Sequence, residues 1–280
     1  MTLSRWLVAI ASIAVVLQGV AFAQQRTAPA PRVQDDPDLD FNFAQPDFTL
    51  ITLPTTLRLP RFKSQFRVTH RFGRPLGAGD FGDLAGDLFG LDTGAVIGLE
   101  YRFGIMRGTQ VGLHRTSGKT IEFFGEHNLM NQDADTPIGL NVVASIDGTN
   151  NFRDRYSPAL GAAVSRQFAN HGAIYFEPIW VNNSNPLPTA LADDNDTFLM
   201  GVGARVRVRP SVYLVGEIVP RAGHAPGVNH AAFALEKHVG GHMFQLNFSN
   251  GLGTTVSQLA RGGPSGNDWH LGFNITRKFF

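Results

Sequence analysis

Guanidinium and carboxylate side chains recur along this chain at even spacings within short segments. Arg67 shares its parity with Thr69 and Arg71, Glu100 with Arg102, Glu122 with Glu126, Tyr175 with Glu177, Arg205 with Arg207 and Glu236 with His238. Gln110 and His114, Asn141, Ser145 and Asp147, Glu217 and His230 take the corresponding places in their own segments. Even spacing puts such groups on one face of an extended strand. Turned inward in a closed sheet, they have two possible uses. Interleaved Arg and Glu can neutralise one another and fill the interior, because buried charges need partners. Alternatively they line a water-filled path and select a small solute by sign and hydrogen bonding. In that second case Arg67, Arg71, Arg102, Arg205 and Arg207 favour anions, and Glu100, Glu122, Glu126, Glu177 and Glu217 oppose them.

Other chemistry finds little support. The absence of cysteine excludes a disulfide scaffold, a thiolate nucleophile and cysteine-based metal sites. Of the nine histidines, His224, His230, His238 and His242 fall close together in the sequence. His230 and His238 share a face but sit roughly 26 Å apart on an extended strand, too far for one metal. Ser249 and His242 have opposite parity, so no Ser/His pair forms from them. Gly263-Pro264-Ser265-Gly266 reads as loop chemistry, and Gly86-Asp87-Leu88-Phe89-Gly90 lacks the lysine of a phosphate cradle. The oxygen-rich loop 183–196, ending in Asp193-Asp194-Asn195-Asp196, offers ligands to a weakly held Ca²⁺. It lacks the glycine and terminal glutamate of an EF-hand, so a solvated turn is the expectation. No cofactor, no metal and no catalytic residue is expected, and no block of like charge points to nucleic acid.

The positioning elements follow from composition and period. The chain has 280 residues, net charge +1, 43% hydrophobic and 17% charged residues, with 31 Gly and 22 Phe. Glycine at that frequency argues against helices, where each costs about 1 kcal/mol relative to alanine. From about residue 65 onward, period-two alternation divides the chain into segments of about ten residues: 65–73, 93–103, 108–116, 118–128, 137–147, 158–168, 172–182, 197–208, 211–220, 228–238, 241–250 and 268–279. A soluble sandwich would alternate in the same way. The connections favour a different architecture, since 74–92, 148–157, 183–196, 221–227 and 251–267 are long and fall on one side. The turns 104–107, 169–171, 209–210 and 239–240 on the other side are short; the loop at 117 and the turn at 129–136 are the exceptions. This pattern predicts an all-β fold, a transmembrane antiparallel up-and-down β-barrel of about twelve strands, closed so that no edge is left unpaired in lipid.

Residues 1–23 read as a cleaved signal peptide: Arg5, the apolar stretch Trp6–Leu17, and the small-x-small site Ala21-Phe22-Ala23. Residues 24–60, with prolines and Asp35, Asp36, Asp38 and Asp40, are expected to be a periplasmic tether. Its more apolar half, Phe41 to Leu53, leaves a strand, a plug and a packed tail all open. Residues 61–280 form the expected barrel. Location in the bacterial outer membrane follows, with outer-membrane lipid as surroundings. The strand from Trp269 to Phe280 would be read by the barrel-insertion machinery, although Phe279 rather than Phe280 keeps its parity and Arg277 interrupts it. The Gly-rich loops 74–92 and 251–267 could fold over the mouth.

The run His70-Arg71-Phe72-Gly73, the stretch Leu88-Phe89-Gly90-Leu91-Asp92-Thr93-Gly94, Tyr101-Arg102-Phe103-Gly104 and His114-Arg115-Thr116 to Lys119-Thr120-Ile121-Glu122-Phe123 resemble a family of bacterial outer-membrane β-barrels of unknown function. The resemblance extends over roughly 55–280 and implies an outer-membrane barrel without supplying an activity. The functional expectation is a narrow conduit or binding barrel for small polar or charged solutes. The alternatives are a closed barrel that docks an envelope partner and, less favoured, a membrane-surface lipid hydrolase or acyltransferase.

Overall fold

The computed structural model describes residues 36–280, apart from 134, 188–190, 192–194, 225–226, 264 and the side chains of 91–93. The signal segment 1–23, the first part of the tether, and Asp193 and Asp194 of the acidic loop lie outside the described residues. The strands are β1 (Ser64–Phe72), β2 (Ala95–Met106), β3 (Thr109–Thr116), β4 (Ile121–Met130), β5 (Gly139–Gly148), β6 (Asp154–Phe168) and β7 (Gly172–Val181). They continue with β8 (Thr197–Arg209), β9 (Val212–Val219), β10 (Arg221–Gly223), β11 (His230–Val239), β12 (His242–Ser249) and β13 (His270–Phe279). Sequential neighbours pair antiparallel, and β13 returns to β1 through Val68↔Ile275, which closes the sheet. β9 and β10 form a single stave. Both lie on β8 in one register, Val202↔Ile218 and Leu199↔Arg221, interrupted where Pro220 has no N–H to give. The Pro220 carbonyl still accepts from Met200 N at 2.9 Å. The barrel therefore has twelve staves.

Alternation holds around the sheet. Leu99, Tyr101, Leu113, Phe123, Ile174, Phe176, Leu214, Phe233 and Leu246 point outward and are exposed, as lipid-facing side chains are in such barrels. The connections 107–108, 169–171, 210–211 and 240–241, all short, and the longer 131–138 lie at one mouth; the other carries the long connections together with the short 117–120 and 149–153. The expected loop 148–157 shrinks to 149–153 because β6 begins at Asp154.

The tether expectation needs correcting. From Asn42 to Leu59 the chain runs inside the barrel as a hairpin inserted from the short-turn mouth. Its limbs meet at Thr49↔Pro54, with Leu50 N donating to Leu53 O at 2.8 Å and Thr55 N to Phe48 O at 2.9 Å. Phe48, Leu50, Ile51, Leu53 and Leu59 are buried. Of the readings left open for 41–53, the plug is the one observed, and it extends to Leu59. The physical reason is burial: these side chains have no other apolar surface to cover.

Inward-facing glycines make room for this filling. A Cβ on Gly203 would stand 2.2 Å from Leu50 Cδ1, and one on Gly201 3.0 Å from Leu53 Cδ1. One on Gly112 would stand 2.1 Å from Phe124 Cζ, and one on Gly104 2.3 Å from the Pro60 carbonyl, where the hairpin rejoins the wall. The plug divides the interior. Toward β6–β11 it packs on Ala159, Ile179, Leu199, Tyr213 and Val215; toward β12, β13 and β1–β5 it meets polar side chains.

Two of the short helices in the loops bear on the mouth. α1 (Phe81–Gly86) has no buried residue and stays outside the mouth. α2 (Val256–Arg261) turns inward and buries Ser257, Leu259 and Ala260. Of the two loops expected to cover the mouth, only 251–267 enters it.

Candidate functional site

The site is the filled lumen. Arg67, Arg71, Glu100, Arg102, His114, Glu122, Glu126, Glu177, Arg205, Glu217, His230 and Glu236 all point inward and are buried. Arg207 and His238 differ: they sit at the short-turn mouth, Arg207 over the Phe43 ring at 4.5 Å and His238 against the Phe41 ring at 4.3 Å. Their parity is inward, but each lies at the end of its strand, beside the turns 210–211 and 240–241, beyond the enclosed part of the barrel.

The charges pair inside the barrel, and Arg67 and Glu100 are also register partners. Arg67 Nη1 lies 3.3 Å from Glu100 Oε2. Arg102 Nη2 reaches Glu100 Oε1 at 3.2 Å and Arg102 Nη1 reaches Glu126 Oε1 at 2.6 Å. Arg205 Nε is 2.9 Å from Glu236 Oε1, and His230 Nε2 3.2 Å from Glu217 Oε1. The arginines expected to favour anions and the glutamates expected to oppose them are not balanced on the buried wall. Buried wall carboxylates (Glu100, Glu122, Glu126, Asp147, Glu177, Glu217, Glu236) outnumber buried wall guanidiniums (Arg67, Arg71, Arg102, Arg205). Three of those four guanidiniums are spent on neighbouring carboxylates.

The same side chains hold the plug by its backbone. Glu217 Oε2 accepts from the amides of Ile51, Thr52 and Leu53 at 3.0, 3.1 and 3.2 Å. Arg205 donates to Thr49 O at 2.7 Å, Gln245 to Leu50 O at 2.9 Å and Asn274 to Ile51 O at 3.1 Å, while Arg67 also reaches Ile51 O. Asp47 of the plug accepts from Thr276 at 3.0 Å and Gln65 at 2.5 Å. Lys278 caps Pro46 O at 2.7 Å near the short-turn mouth. Gln65, Gln245, Asn274, Thr276 and Lys278 are functional neighbours that sequence reading missed. Each shares its strand's inward parity, which is the signal that could have found them.

From the other side, α2 is tied to the wall. Thr255 Oγ1 donates to Asp147 Oδ2 at 2.7 Å, Ser257 Oγ donates to the same oxygen, and Val256 N reaches Glu122 Oε1 at 3.3 Å. Burial pushes the Arg261 guanidinium below its ordinary value, with the nearby Asp147 charge opposing that shift. Between plug tip and α2 a cavity of about 40 Å³ remains, lined by Thr52, Arg67, Glu100, His114, Glu122 and Thr254 among others. Beyond α2 an outer chamber of about 500 Å³ opens to the long-loop side, and a recess of about 530 Å³ lies at the short-turn mouth. The arrangement is a barrel closed by its own chain.

The remaining histidines do not assemble a centre. His224 packs by Arg221, and His242 lies against Arg277 and the Phe244 ring. Ser249 donates to Gly251 O at 2.7 Å, far along its strand from His242. Among the described residues no group of three His, Asp or Glu is arranged to hold a metal.

The profile of a family described as a membrane bound beta barrel domain (DUF5777) matches residues 47–279, so the matched region begins within the plug hairpin. No curated protein sequence matches the chain. Among solved structures, the NanC porin aligns with a TM-score of 0.52 at 8% identity, covering 78% of this chain and 99% of that one. The COG4313 outer membrane channel from Pseudomonas putida F1 aligns with a TM-score of 0.51 at 12% identity, covering 79% and 97%. At such identities the likeness is one of fold.

Proposed function

This chain belongs to the membrane-bound β-barrel family of that description, and from that premise we propose that it is an outer-membrane conduit for small polar or charged solutes, closed at rest by its hairpin plug. The observation that carries this reading is how the plug is held. Its backbone amides and carbonyls are bound by wall side chains that water can serve equally well once the hairpin withdraws. A wall needed only for a permanent closure has no use for so many buried charges, which cost desolvation and add little stability over apolar packing. Twelve staves fall between barrels filled by side chains and barrels with an open channel. The space the hairpin vacates is that of two strands, roughly 5 by 10 Å. With seven wall carboxylates against four guanidiniums, the opened path prefers cations.

The test is single-channel recording in a planar bilayer with the mature chain and a variant lacking residues 38–58. The mature chain is expected to be silent or briefly open, and the variant to give steady steps with a cation-selective reversal potential. A heat-modifiable variant that stays silent would exclude the conduit.

The second reading is a closed barrel that docks an envelope partner. It is favoured by Phe81, Leu88 and Phe89, which stand exposed in the long loop carrying α1. In either case the apolar outer face meets outer-membrane lipid, and β13, ending in Phe279, is the strand offered to the insertion machinery. Export through the signal segment 1–23 belongs to the same reading.

A further inference from the structure

The outward face of the barrel is not uniformly bulky. Ala204 on β8, Gly216 on β9 and Ala231 on β11 are small, and Ile174, Phe176, Val202 and Ile218 rise around them. The result is a groove of about 860 Å³ on the outside of the wall. A Cβ on Gly216 would meet nothing nearer than the Ala232 carbonyl at 4.0 Å, so the floor there is open.

Register gives the groove its direction. Arg166↔Ile174, Ile174↔Ala204, Ala204↔Gly216 and Gly216↔Phe233 form one row across β6, β7, β8, β9 and β11. Four steps between neighbouring strands cover roughly 19 Å. Trp269 closes one end, its ring 5.6 Å from that of Phe233. Arg166 closes the other, beside the short-turn mouth, and is exposed. Its Nη1 donates to Pro137 O at 3.3 Å, and among the described residues none of the ion pairs includes it. The acids of the adjoining turn 131–138, Asp133 and Asp135, do not line the groove. Asp133 Oδ1 is turned back on its own loop, accepting from the amides of Asp135 and Thr136 at 2.9 and 2.8 Å.

An apolar channel that ends in a guanidinium fits a molecule with a long hydrocarbon chain and an acidic head. In lipid, association depends on close van der Waals packing, which small residues allow. A cation at the interface in turn attracts anionic headgroups. A second copy of this chain fits less well. Apart from Asp154 at the far end of β6, no strand carries an acid on its outward parity, so a copy's wall would leave Arg166 against apolar side chains.

We propose that this groove holds one anionic phospholipid, with an acyl chain lying along Ala204, Gly216 and Ala231 and the headgroup phosphate on Arg166. The site lies on the outside of the wall and does not rest on the conduit reading.

The test places the refolded mature chain in nanodiscs of equal parts phosphatidylglycerol and phosphatidylethanolamine and releases it for native mass spectrometry. One retained phospholipid per chain is expected, with phosphatidylglycerol favoured about fivefold, the factor that one interfacial cation provides. Arg166→Gln should keep a lipid and lose the preference. Gly216→Leu, which fills the floor without a backbone clash, should lower the retained lipid at least tenfold; if that variant is not heat-modifiable, Ala204→Phe takes its place. Arg115→Gln, at an exposed outward cation of the other rim, should change nothing. No retained lipid on wild type, equal retention with the floor filled, or an unchanged headgroup preference in Arg166→Gln would overturn the site. A dimer mass that Gly216→Leu abolishes would make the groove a contact between copies and overturn it as well. A barrel that is silent in bilayers yet retains its lipid would sink the conduit and leave this site standing.

Discussion

Glu217 is the carboxylate on which the plug tip converges, and replacing it by glutamine tests the closure directly. One oxygen receives the amides of Ile51, Thr52 and Leu53 at 3.0–3.2 Å. Hydrogen bonds to a charged acceptor contribute about 1.5–3 kcal/mol each and neutral ones about 1 kcal/mol. Glutamine keeps the shape and one oxygen, so the three bonds together lose about 3 kcal/mol of the docked state's advantage. At 1.4 kcal/mol per decade, the undocked hairpin becomes about 100-fold more populated. The chain has no cysteine, so Thr49→Cys, a buried and nearly isosteric position on the plug, reports undocking cleanly. In liposomes, a membrane-impermeant maleimide should label that thiol about 100-fold faster in the Glu217→Gln background. An unchanged rate, in a barrel that remains heat-modifiable, would refute the claim that this carboxylate holds the plug.

Two further outcomes follow from the same geometry. Asp147→Ala removes the acceptor of Thr255 and Ser257, so α2 should leave the mouth, and trypsin added outside should cleave after Arg261 at least tenfold faster; unaltered proteolysis would mean α2 is held by its buried Leu259 and Ala260 alone. Leu246→Arg places a cation on the outward face in the middle of β12, which should cost about 2–4 kcal/mol of unfolding free energy in lipid, read by urea titration in vesicles; a neutral result would mean that this face does not meet hydrocarbon.

The sequence by itself determined the staves, the parity of nearly every side chain, the closure of the barrel and the side on which the long loops lie. All of these rest on a period of two, which is a local property of the chain and is enforced by a single demand: apolar groups toward lipid, polar groups inward. Pro220 was legible only as the end of a segment, because its neighbour β10 resumes the register of β9 on the far side of the break. The filling of the lumen belonged to the tertiary structure. Phe48, Leu50, Ile51 and Leu53 could be read as apolar, but what they bury against, and the carboxylate that collects their amides, lie some 150 residues away; Ile51 and Glu217 are separated by 166 positions. The glycines at 201 and 203 acquire meaning only when Leu53 and Leu50 are seen to need their space. Five arginines looked alike in the sequence. The fold distinguished them: it set Arg67, Arg102 and Arg205 against carboxylates, placed Arg207 at the rim, and left Arg71 with neutral partners. Parity fixes which face a charge occupies, whereas its partner depends on the stagger between strands and on which distant segment enters the barrel, and neither is written in the neighbourhood of the residue itself.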